Sequence, residues 1–497
     1  MKCFWRKLFL LVLTISLTQC SGSGGTEEPI VEEAMLSVSP LTLNFSYDGG
    51  QKTISILCSG TWQIATPAGS WCLPSIQTSK GDVIVSLTVS ANELTTNRTI
   101  DLTVSSPNAT SIVLKITQDA NPDNSKVDYI EPDQTGMIDD ALVLAGKIKL
   151  GWNLGNSMEI PLTSGGETGW GNPKTTKAMI DAVKNAGFNA VRIPCAWDSY
   201  VEDRSTYKVK DSWFSRVKEV VDYCVDNEMY VILNIHWDGG WLENNPIAAK
   251  QEEVNKEQKA LWKQIAIYFR NYDQHLLFAG TNEVHVADVY SDPTTENNTV
   301  QQSYNQTFVD AVRATGGKNT YRSLIVQTYN TNIAYGVKYM KLPTDTAQKR
   351  MMVEVHYYDP YNFALDTGAT AINLWGADYK QYGSVDTWGQ EDYLETIFAS
   401  VKTTFVDKGY PVILGEYGAV RRSSLTGDAL THHLASRAYY LGSVTTAAKK
   451  YGMVPFYWDN GGTENAGMGI FNRSSATIFD QLAVEALVSA SATNYPY

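Results

Sequence analysis

The spacing of hydrophobic residues changes near residue 125 and divides the chain into two parts. From Met35 to Asp119, hydrophobic residues recur at every second position, in short runs such as TISIL, VIVSLTVSA, TIDLTVS and SIVLKITQ. Gly, Asn, Ser and Pro separate these runs, which is typical of strands joined by turns. Residues 34–120 are therefore predicted to form a small all-β sandwich of the immunoglobulin-like type.

The second part, residues 129–497, follows a polar linker at residues 121–128 and shows a different pattern. Stretches with helical spacing separate eight hydrophobic runs, which are IKLGWNLG, NAVRIP, YVILNIH, LLFAG, RSLIVQTY, MMVEVHYY, PVILGEYG and VPFYWDN. Hydrophobic strands that alternate with helices are typical of a parallel sheet. Eight such units predict an α/β fold, a closed (β/α)8 TIM barrel. The runs are not followed by a Gly-rich phosphate loop, which argues against a dinucleotide-binding sheet.

Local signals place two of the intervening helices. In NPKTTKAMIDAVKNAG, Asn172 is predicted to cap a helix, with Pro173 at its first position and Gly187 after its end. After the second run, hydrophobic residues fall at helical spacing, namely Trp213, Val217, Val220, Val221, Cys224 and Val225. Both segments are therefore predicted to be helices that connect barrel strands.

The first 20 residues have the features of an export signal. Basic residues precede a hydrophobic stretch at residues 8–17, which is too short for a transmembrane helix. LTQC, which ends at Cys20, resembles the box at which bacterial lipoproteins are cleaved and acylated, although Gln19 replaces the usual small residue. We expect a lipoprotein signal peptide at residues 1–20, a flexible tether at 21–33 and a lipid on Cys20 that anchors the protein to the outer membrane at the cell surface. A periplasmic or secreted product is the alternative.

Charge and composition narrow the range of partners. The net charge is −13 and basic runs are absent from the sequence, so nucleic acid and anionic membrane surfaces are not expected as main partners. The chain contains 13 Trp and 28 Tyr residues. Most of these aromatic residues must pack in the core. Others would suit an open groove, because flat aromatic faces stack on the C–H faces of sugar rings.

Four cysteines follow the signal region, namely Cys58, Cys72, Cys195 and Cys224, and their spacing matches no zinc motif. Cys224 lies on the hydrophobic face of a predicted helix and is expected to be a small buried residue. A Cys58–Cys72 disulfide is compatible with an exported protein, and the sequence leaves its existence open.

Polar side chains stand where the hydrophobic runs end, and in a TIM barrel these strand ends form the active site. They are Arg192 near the end of the second run, His236 and Trp237 at the end of the third, Asn282 and Glu283 after the fourth, His356 and Tyr358 at the end of the sixth, Glu416 near the end of the seventh, and Trp458 near the end of the eighth. Two carboxylates therefore emerge at one mouth. Glycoside hydrolysis needs such a pair, about 5–5.5 Å apart in retaining enzymes and about 6.5–9.5 Å apart in inverting ones.

Several motifs along residues 129–497 resemble those of glycoside hydrolase family 5, namely VRIP, NIHWDGGW, AGTNEVH, VEVHYYDPY, ILGEYG and FYWDNG. The resemblance implies a retaining barrel with catalytic glutamates on strands four and seven. NIHWDGGW and HYYDPYNF are most similar to a subfamily of endo-β-1,4-glucanases that is rich in xyloglucanases. One departure is Val284, which replaces the proline often found after Asn-Glu.

The resemblance implies a role for each matching residue. Glu283 would be the general acid/base and Glu416 the nucleophile. Asn282 would bind the 2-hydroxyl group of the reacting sugar, a contact that strengthens towards the transition state. Arg192 and Tyr358 would orient Glu416 and favour its charged form. His236 and His356 would form hydrogen bonds around the reacting sugar and the acid/base. Trp458 would be the platform under that sugar, and Asn156 and Trp237 would make neighbouring contacts.

Residues 34–120 carry a second resemblance, because LSVSPLTLNFSYDGG, GTWQIATPAGSWC and LKITQDA are similar to the BACON domain of Bacteroidetes enzymes. This resemblance implies the sandwich fold and leaves carbohydrate binding and a role as a spacer open. Trp62 and Trp71 are expected in the core, with a sugar platform as the alternative. Three further tryptophans, Trp241, Trp375 and Trp388, either line a groove or pack loops.

The leading hypothesis is a monomeric, retaining endo-β-1,4-glucanase that acts on xyloglucan and needs no cofactor. Cellulose-type or mixed-linkage β-glucan is the second choice of substrate, and β-mannan or glucomannan is the third. A metal is not expected, because the first run, GWNLGN, lacks the His-x-His of metal-dependent barrel hydrolases. The competing hypothesis is a glycan-binding surface lipoprotein on a degenerate barrel, which the presence of both carboxylates disfavours.

Overall fold

The computed structural model describes residues 35–67, 70–92, 96–120 and 128–497. The chain divides into two compact units at Pro122. The predicted signal peptide, the tether with Cys20 and nearly all of the predicted linker lie outside the described residues. Among the residues that are described, no helix combines the length and the apolar character needed to span a bilayer.

The first unit is built from two sheets that share one core. Its described residues form β1 (Leu36–Ser39), β2 (Thr42–Phe45), β3 (Gly50–Cys58), β4 (Thr61–Ala65), β5 (Cys72–Pro74), β6 (Thr78–Lys80), β7 (Val83–Val89), β8 (Arg98–Ser105) and β9 (Ile112–Gln118). The sheet orders are β1-β3-β7-β5 and β2-β9-β8-β4-β6. Alternate residues of both sheets are buried against each other, including Ile54 and Ile56 on one sheet and Leu102 and Val104 on the other. This arrangement confirms the predicted sandwich.

Trp62 lies in the core of the sandwich, as expected. It is 2% exposed, and its indole N–H donates to the carbonyl of Gly81 at 2.9 Å. Trp71 is half-buried, with the guanidinium of Arg98 over its ring. Cys58 and Cys72 are buried free thiols, so the disulfide that the sequence left open does not form.

The second unit contains the barrel. The strands of its described residues are β10 (Gly151–Leu154), β11 (Ala190–Ile193), β12 (Val201–Asp203), β13 (Lys208–Val209), β14 (Tyr230–Asn234), β15 (Leu276–Ala279), β16 (Leu324–Asn332), β17 (Met351–Tyr357), β18 (Val412–Tyr417), β19 (Met453–Asp459), β20 (Phe471–Asn472) and β21 (Thr477–Ile478). Eight of them close a parallel barrel in the order β10-β11-β14-β15-β16-β17-β18-β19, and β19 pairs with β10. They correspond to the eight hydrophobic runs, so the predicted TIM barrel is confirmed. β12 with β13, and β20 with β21, form short hairpins.

Helices cover the outside of the barrel and close its lower end. They are α1 (Ala141–Lys147), α2 (Lys177–Asn185), α3 (Asp211–Val225), α4 (Ala248–Tyr268), α5 (Thr295–Arg313), α6 (Ile333–Tyr339), α7 (Tyr361–Ala364), α8 (Glu391–Thr404), α9 (Gly427–Lys450) and α10 (Gln481–Ala490). Short 3-10 turns occupy Leu162–Ser164, Gly166–Thr168, Asp198–Tyr200, Asp238–Gly240, Gly317–Thr320, Ala377–Gln381 and Val406–Lys408. Leu144 and Ala145 of α1 share a buried cluster with Ile232, Leu277 and Ile325 of the strands, so α1 seals the end of the barrel opposite the active site. The predicted face of α3 is buried, from Trp213 to Cys224.

The start of α2 differs from the prediction. The N-cap is Thr176, whose hydroxyl accepts a hydrogen bond from the backbone N–H three residues later at 3.3 Å. Asn172 does not cap the helix, because its side-chain amide donates to the carbonyls of Asn156 and Asn460 at 2.8 and 2.9 Å. Gly187 follows the helix with a φ of 111°, in the left-handed region that favours glycine at this position.

Candidate active site

The mouth of the barrel brings two carboxylates together at the C-terminal ends of its strands. Glu283 follows β15, and Glu416 lies near the end of β18. A carboxylate oxygen of each, and a ring nitrogen of His356, all lie within 4.8 Å of one another. This spacing fits the retaining geometry of about 5–5.5 Å between carboxyl groups and is too short for the inverting geometry of about 6.5–9.5 Å. Glu416 is buried, whereas the side chain of Glu283 is 34% exposed at the mouth.

Arg192, in β11, holds Glu416 and Asn282 in place. Its Nη1 donates to Glu416 Oε1 at 2.9 Å, and its Nη2 donates to Asn282 Oδ1 at 2.8 Å. The hydroxyl of Tyr358 donates to Glu416 Oε2 at 3.0 Å. Because Arg192 is fully buried, these charge-assisted hydrogen bonds act with little screening by water. Both oxygens of Glu416 are therefore held by hydrogen bonds.

Glu354, in β17, is a buried carboxylate that the sequence analysis missed. Its Oε1 lies 2.9 Å from Arg192 Nε and 3.3 Å from His356 Nε2, and its Oε2 accepts a hydrogen bond from Gln327 at 2.6 Å. Gly415 of β18 leaves room for this carboxylate, since a Cβ there would lie 2.0 Å from Oε1. The available signal was a charged residue inside the hydrophobic run MMVEVHYY, two positions before His356 and thus on the same face of the strand.

His356 connects the candidate acid/base to this buried charge. Its Nδ1 donates to Glu283 Oε1 at 2.6 Å, while its Nε2 faces Glu354. Burial opposes a charge on the ring, but the carboxylates of Glu416, Glu283 and Glu354 outweigh burial and raise the pKa of His356 to about 10. At neutral pH His356 is therefore an imidazolium whose two N–H groups both face carboxylates.

The two candidate catalytic glutamates titrate as a coupled pair. Burial raises the pKa of Glu416, and the charge of Glu283 raises it further; His356, Arg192 and Tyr358 lower it without reversing the shift. For Glu283, the hydrogen bond and charge of His356 outweigh burial and lower the pKa. Arg192 and Tyr358 act in the direction expected from the resemblance, but burial is stronger.

The same cluster has the composition of a small metal site. Glu283, His356 and Glu416 are close enough to share an ion. Ligation would require a neutral imidazole with a free ring nitrogen. Both nitrogens of His356 face carboxylates, and its raised pKa keeps the ring charged. The donor set therefore suits proton transfer better than metal binding.

Asn282 is buried between Arg192 and a second residue that the sequence analysis missed. Its Nδ2 donates to Oε2 of Glu243 at 3.1 Å. Glu243 belongs to the polar stretch WLENNP, which resembles an ordinary surface loop, yet it is 6% exposed. Val284 is fully buried with Leu242 and other apolar side chains, so the residue that replaces the family's proline has a packing role.

Trp458 and His236 lie together at the mouth. Their rings are stacked, with centroids 5.9 Å apart and an interplanar angle of 9°. Burial and the charges of Arg192 and His356 lower the pKa of His236 far below its usual range, so this ring is neutral. A neutral imidazole beside an indole suits a hydrogen bond to a sugar hydroxyl, and this contact stays a prediction for His236.

The weaker candidates, Asn156 and Trp237, occupy loops of the same face. Asn156 has a φ of 55°, and its carbonyl accepts a hydrogen bond from Asn172. Trp237 is 36% exposed, and its ring centroid lies 6.3 Å from that of Trp170. The contacts of Asn156 with Asn172 and of Trp237 with Trp170 shape the loops, and a direct contact with sugar stays a prediction for both.

The three tryptophans left open by the sequence differ in burial. Trp375 is fully buried and its N–H donates to the carbonyl of Gly389, while Trp241 is half-buried against the cluster around Val284. Both therefore pack loops. Trp388 is 44% exposed. Other exposed aromatic residues also lie on the segments that follow barrel strands, namely Trp170, Trp237, Tyr290 and Tyr361.

A cavity of about 270 Å³ opens beside Glu283. Its wall includes His285, Tyr290, Asn330 and Tyr393, together with His356 and Tyr358. These residues come from β16, β17 and α8 and from the chain after β15 and β17. The cavity therefore adjoins the carboxyl group proposed to protonate a leaving group.

Comparison with known proteins shows which family this chain is similar to. The family profile described as cellulase (glycosyl hydrolase family 5) matches residues 155–464. A xyloglucan-specific endo-β-1,4-glucanase of Bacteroides ovatus is 40% identical over 97% of this chain and 96% of its own length.

Solved structures of the same family match at high coverage. A Bacteroides ovatus family 5 xyloglucanase in complex with a XXXG heptasaccharide has a TM-score of 0.71 at 40% identity, over 92% of this chain and 100% of that chain. A broad-specificity endoglucanase of Ruminococcus champanellensis with bound cellotriose has a TM-score of 0.62 at 36% identity, over 70% of this chain and 98% of that chain. With its closed barrel and its glutamate pair at the ends of strands four and seven, the chain belongs to glycoside hydrolase family 5.

Proposed function

We propose that this protein is a retaining endo-β-1,4-glucanase that cleaves the backbone of xyloglucan. The observation that carries the proposal is the glutamate pair at the barrel mouth, with oxygens within 4.8 Å of each other. Glu416 is held by Arg192 and Tyr358, and Glu283 by His356. These contacts give the two carboxyl groups different partners, as their different roles require.

In the first step, Glu283 donates its proton to the glycosidic oxygen while a carboxylate oxygen of Glu416 attacks the anomeric carbon. The bond from that carbon to the leaving chain breaks, which gives a glycosyl ester on Glu416 and a released chain with a new hydroxyl group. This step needs a proton on Glu283 and an ionised Glu416. Arg192 and Tyr358 then stabilise the ionised Glu416.

In the second step, Glu283 takes a proton from water, and the water oxygen attacks the anomeric carbon. The ester bond to Glu416 breaks and restores its carboxylate. Two inversions give overall retention of configuration. The imidazolium of His356 stabilises Glu283 whenever it is ionised between the steps.

The choice of xyloglucan rests on similarity and on the surface around the site. The relative from Bacteroides ovatus is named for xyloglucan and covers nearly all of this chain. Several exposed aromatic side chains lie on the segments that follow barrel strands and offer flat faces to a long and branched chain. They are Trp170, Trp237, Tyr290, Tyr361 and Trp388. A broader endoglucanase that prefers cellulose-type or mixed-linkage β-glucan is the second candidate, because the structure from Ruminococcus champanellensis is described as broad in specificity.

A substrate panel distinguishes these candidates. Purified enzyme is incubated with tamarind xyloglucan, carboxymethylcellulose, barley β-glucan and galactomannan, and the products are identified by mass. We expect xyloglucan oligosaccharides at the highest rate, and no product from a Glu416→Ala control prepared in parallel. Faster release from barley β-glucan would favour the second candidate, and binding without product at high enzyme load would support a glycan-binding protein instead.

We further propose that a lipid on Cys20 anchors the enzyme at the cell surface, with the N-terminal BACON-like sandwich as a spacer. The export signal and LTQC support this proposal. Wild-type protein should incorporate labelled palmitate and fractionate with the outer membrane, whereas Cys20→Ser should do neither. Equal labelling of both proteins would contradict the anchor.

A further inference from the structure

We propose that Glu243 is a positioning residue for this reaction, whose carboxyl group fixes both the amide of Asn282 and the backbone of Glu283. The inference rests on the proposed retaining hydrolysis and assigns a function to a residue outside the predicted site. Glu243 lies between β14 and α4, in the loop next to the one that carries the acid/base.

The contacts of Glu243 converge on the segment after β15. Its Oε2 accepts hydrogen bonds from Asn282 Nδ2 at 3.1 Å and from the backbone N–H of Glu283 at 3.2 Å. Its backbone carbonyl accepts a third, from the N–H of His285 at 2.9 Å. A single buried residue therefore holds Asn282, Glu283 and His285 from the neighbouring loop.

These contacts specify which way the amide of Asn282 faces. The amide oxygen accepts from Arg192 Nη2, and one amide N–H donates to Glu243. The amide has two N–H bonds, so the second is left for the 2-hydroxyl of the reacting sugar. A reversed amide would place its NH2 group against the guanidinium of Arg192, which is a donor facing a donor. Arg192 and Glu243 together therefore select one orientation.

The surroundings of Glu243 keep its carboxyl group in place. Leu242 precedes Glu243 in the sequence, and Val284 follows Glu283. Both Leu242 and Val284 are buried in one apolar cluster. Burial and the nearby charge of Glu283 raise the pKa of Glu243 to about 8. At neutral pH it is therefore a neutral acid whose carbonyl oxygen accepts both bonds, and a glutamine would reproduce that pattern.

The test measures kcat and KM on an aryl β-cellobioside for Glu243→Ala, Glu243→Gln, Asn282→Ala and the Glu243→Ala/Asn282→Ala double variant. We expect Glu243→Ala to lower kcat roughly 10- to 100-fold, as misplacement of reacting groups does, with KM changed by less than about threefold. Glu243→Gln should keep most of the activity. The double variant should lose less activity than the product of the two single losses, because part of the effect of Glu243 runs through its contact with Asn282.

Asp345→Ala is the control for loss of stability alone. It breaks the buried ion pair between Asp345 and Arg313, whose contacts are 2.8 and 2.7 Å, at the opposite end of the barrel. Its kcat per folded molecule should stay at the wild-type value, with folding checked by circular dichroism.

The positioning role would be overturned by a wild-type kcat in Glu243→Ala, by equal losses in the Ala and Gln variants, or by losses that multiply in the double variant. Failure of the wild type on xyloglucan alone, with turnover of the aryl substrate, would refute the substrate proposal and leave this test intact.

Discussion

Replacing Glu354 with Gln should destabilise the barrel, because a glutamine cannot satisfy the donors that surround this carboxylate. Arg192 Nε and His356 Nε2 both face Glu354 Oε1, and Gln327 Nε2 donates to Oε2. Gln327 cannot reverse its amide, since its oxygen already accepts from the N–H and the hydroxyl of Thr281, each at 3.0 Å. At least one buried donor would therefore face an NH2 group.

The expected loss follows from the burial of the ion pair. The side chains of Arg192 and Glu354 are both fully buried, and removing one partner of such a pair costs about 3–5 kcal/mol. We expect the free energy of unfolding of Glu354→Gln to fall by about that amount. Circular dichroism of the helices should report this change, because all helices of the described residues belong to the barrel unit.

The same substitution, Glu354→Gln, should also change how the stability of the fold depends on pH. The pKa of His356 is raised to about 10 in the folded protein, so its charge stabilises the fold at pH values below its unfolded pKa, and this contribution is lost as the pH rises through about 10. Without the charge of Glu354, the pKa of His356 should fall, and the loss should begin at lower pH.

An NMR titration of the His356 ring measures the pKa shift directly. Asp345→Asn is the matched control, because it also removes a buried carboxylate but should leave the pKa of His356 unchanged. A Glu354→Gln protein with an unfolding free energy within about 1 kcal/mol of the wild type and an unshifted His356 titration would refute the proposed network.

Three further substitutions test the acid/base, the hydrogen bond to Glu416 and the cap of α2. Glu283→Ala should lower kcat on xyloglucan by about 10²–10⁴-fold. Azide should restore turnover of this variant on an activated aryl glycoside and give a β-glycosyl azide; an α-azide would contradict the acid/base role of Glu283. Tyr358→Phe removes an O–H donor that favours the charged form of Glu416. The acidic limb of the pH profile of kcat/KM should therefore move to higher pH. An unmoved limb would show that Tyr358 does not favour the charged form of Glu416. Thr176→Ala should lower the unfolding free energy by about 1 kcal/mol through loss of the α2 cap, while kcat stays unchanged. A variant as stable as the wild type would contradict the capping role of Thr176.

The barrel was predictable because its strands are buried on both faces, so each appears in the sequence as a continuous hydrophobic run. The start of α2 was not, since Asn172 and Thr176 are both good capping residues. Only the folded chain shows that the carbonyls of Asn156 and Asn460 engage the amide of Asn172. Local sequence therefore identified the helix but not its first residue.

The active site also contains some residues that could be predicted from the sequence and others that could not. Glu283 and Glu416 were predictable because they stand at strand ends, where a TIM barrel carries its chemistry. Glu354 and Glu243 were missed because their partners are distant in sequence. Barrel closure brings Arg192 to Glu354, and packing between two loops brings Asn282 to Glu243. Their burial, which gives them their role, is a property of the fold and not of the local sequence.

Trapping a glycosyl ester on Glu416 would show directly whether this residue is the nucleophile of a retaining mechanism. The enzyme is incubated with a 2-deoxy-2-fluoro-β-cellobioside that carries a good leaving group, then digested and analysed by mass spectrometry. We expect one fluorosugar on the peptide that contains Glu416, and none in a Glu416→Ala variant. A label on Glu283 or on another residue would contradict this role, as would an unlabelled enzyme that still hydrolyses the non-fluorinated substrate.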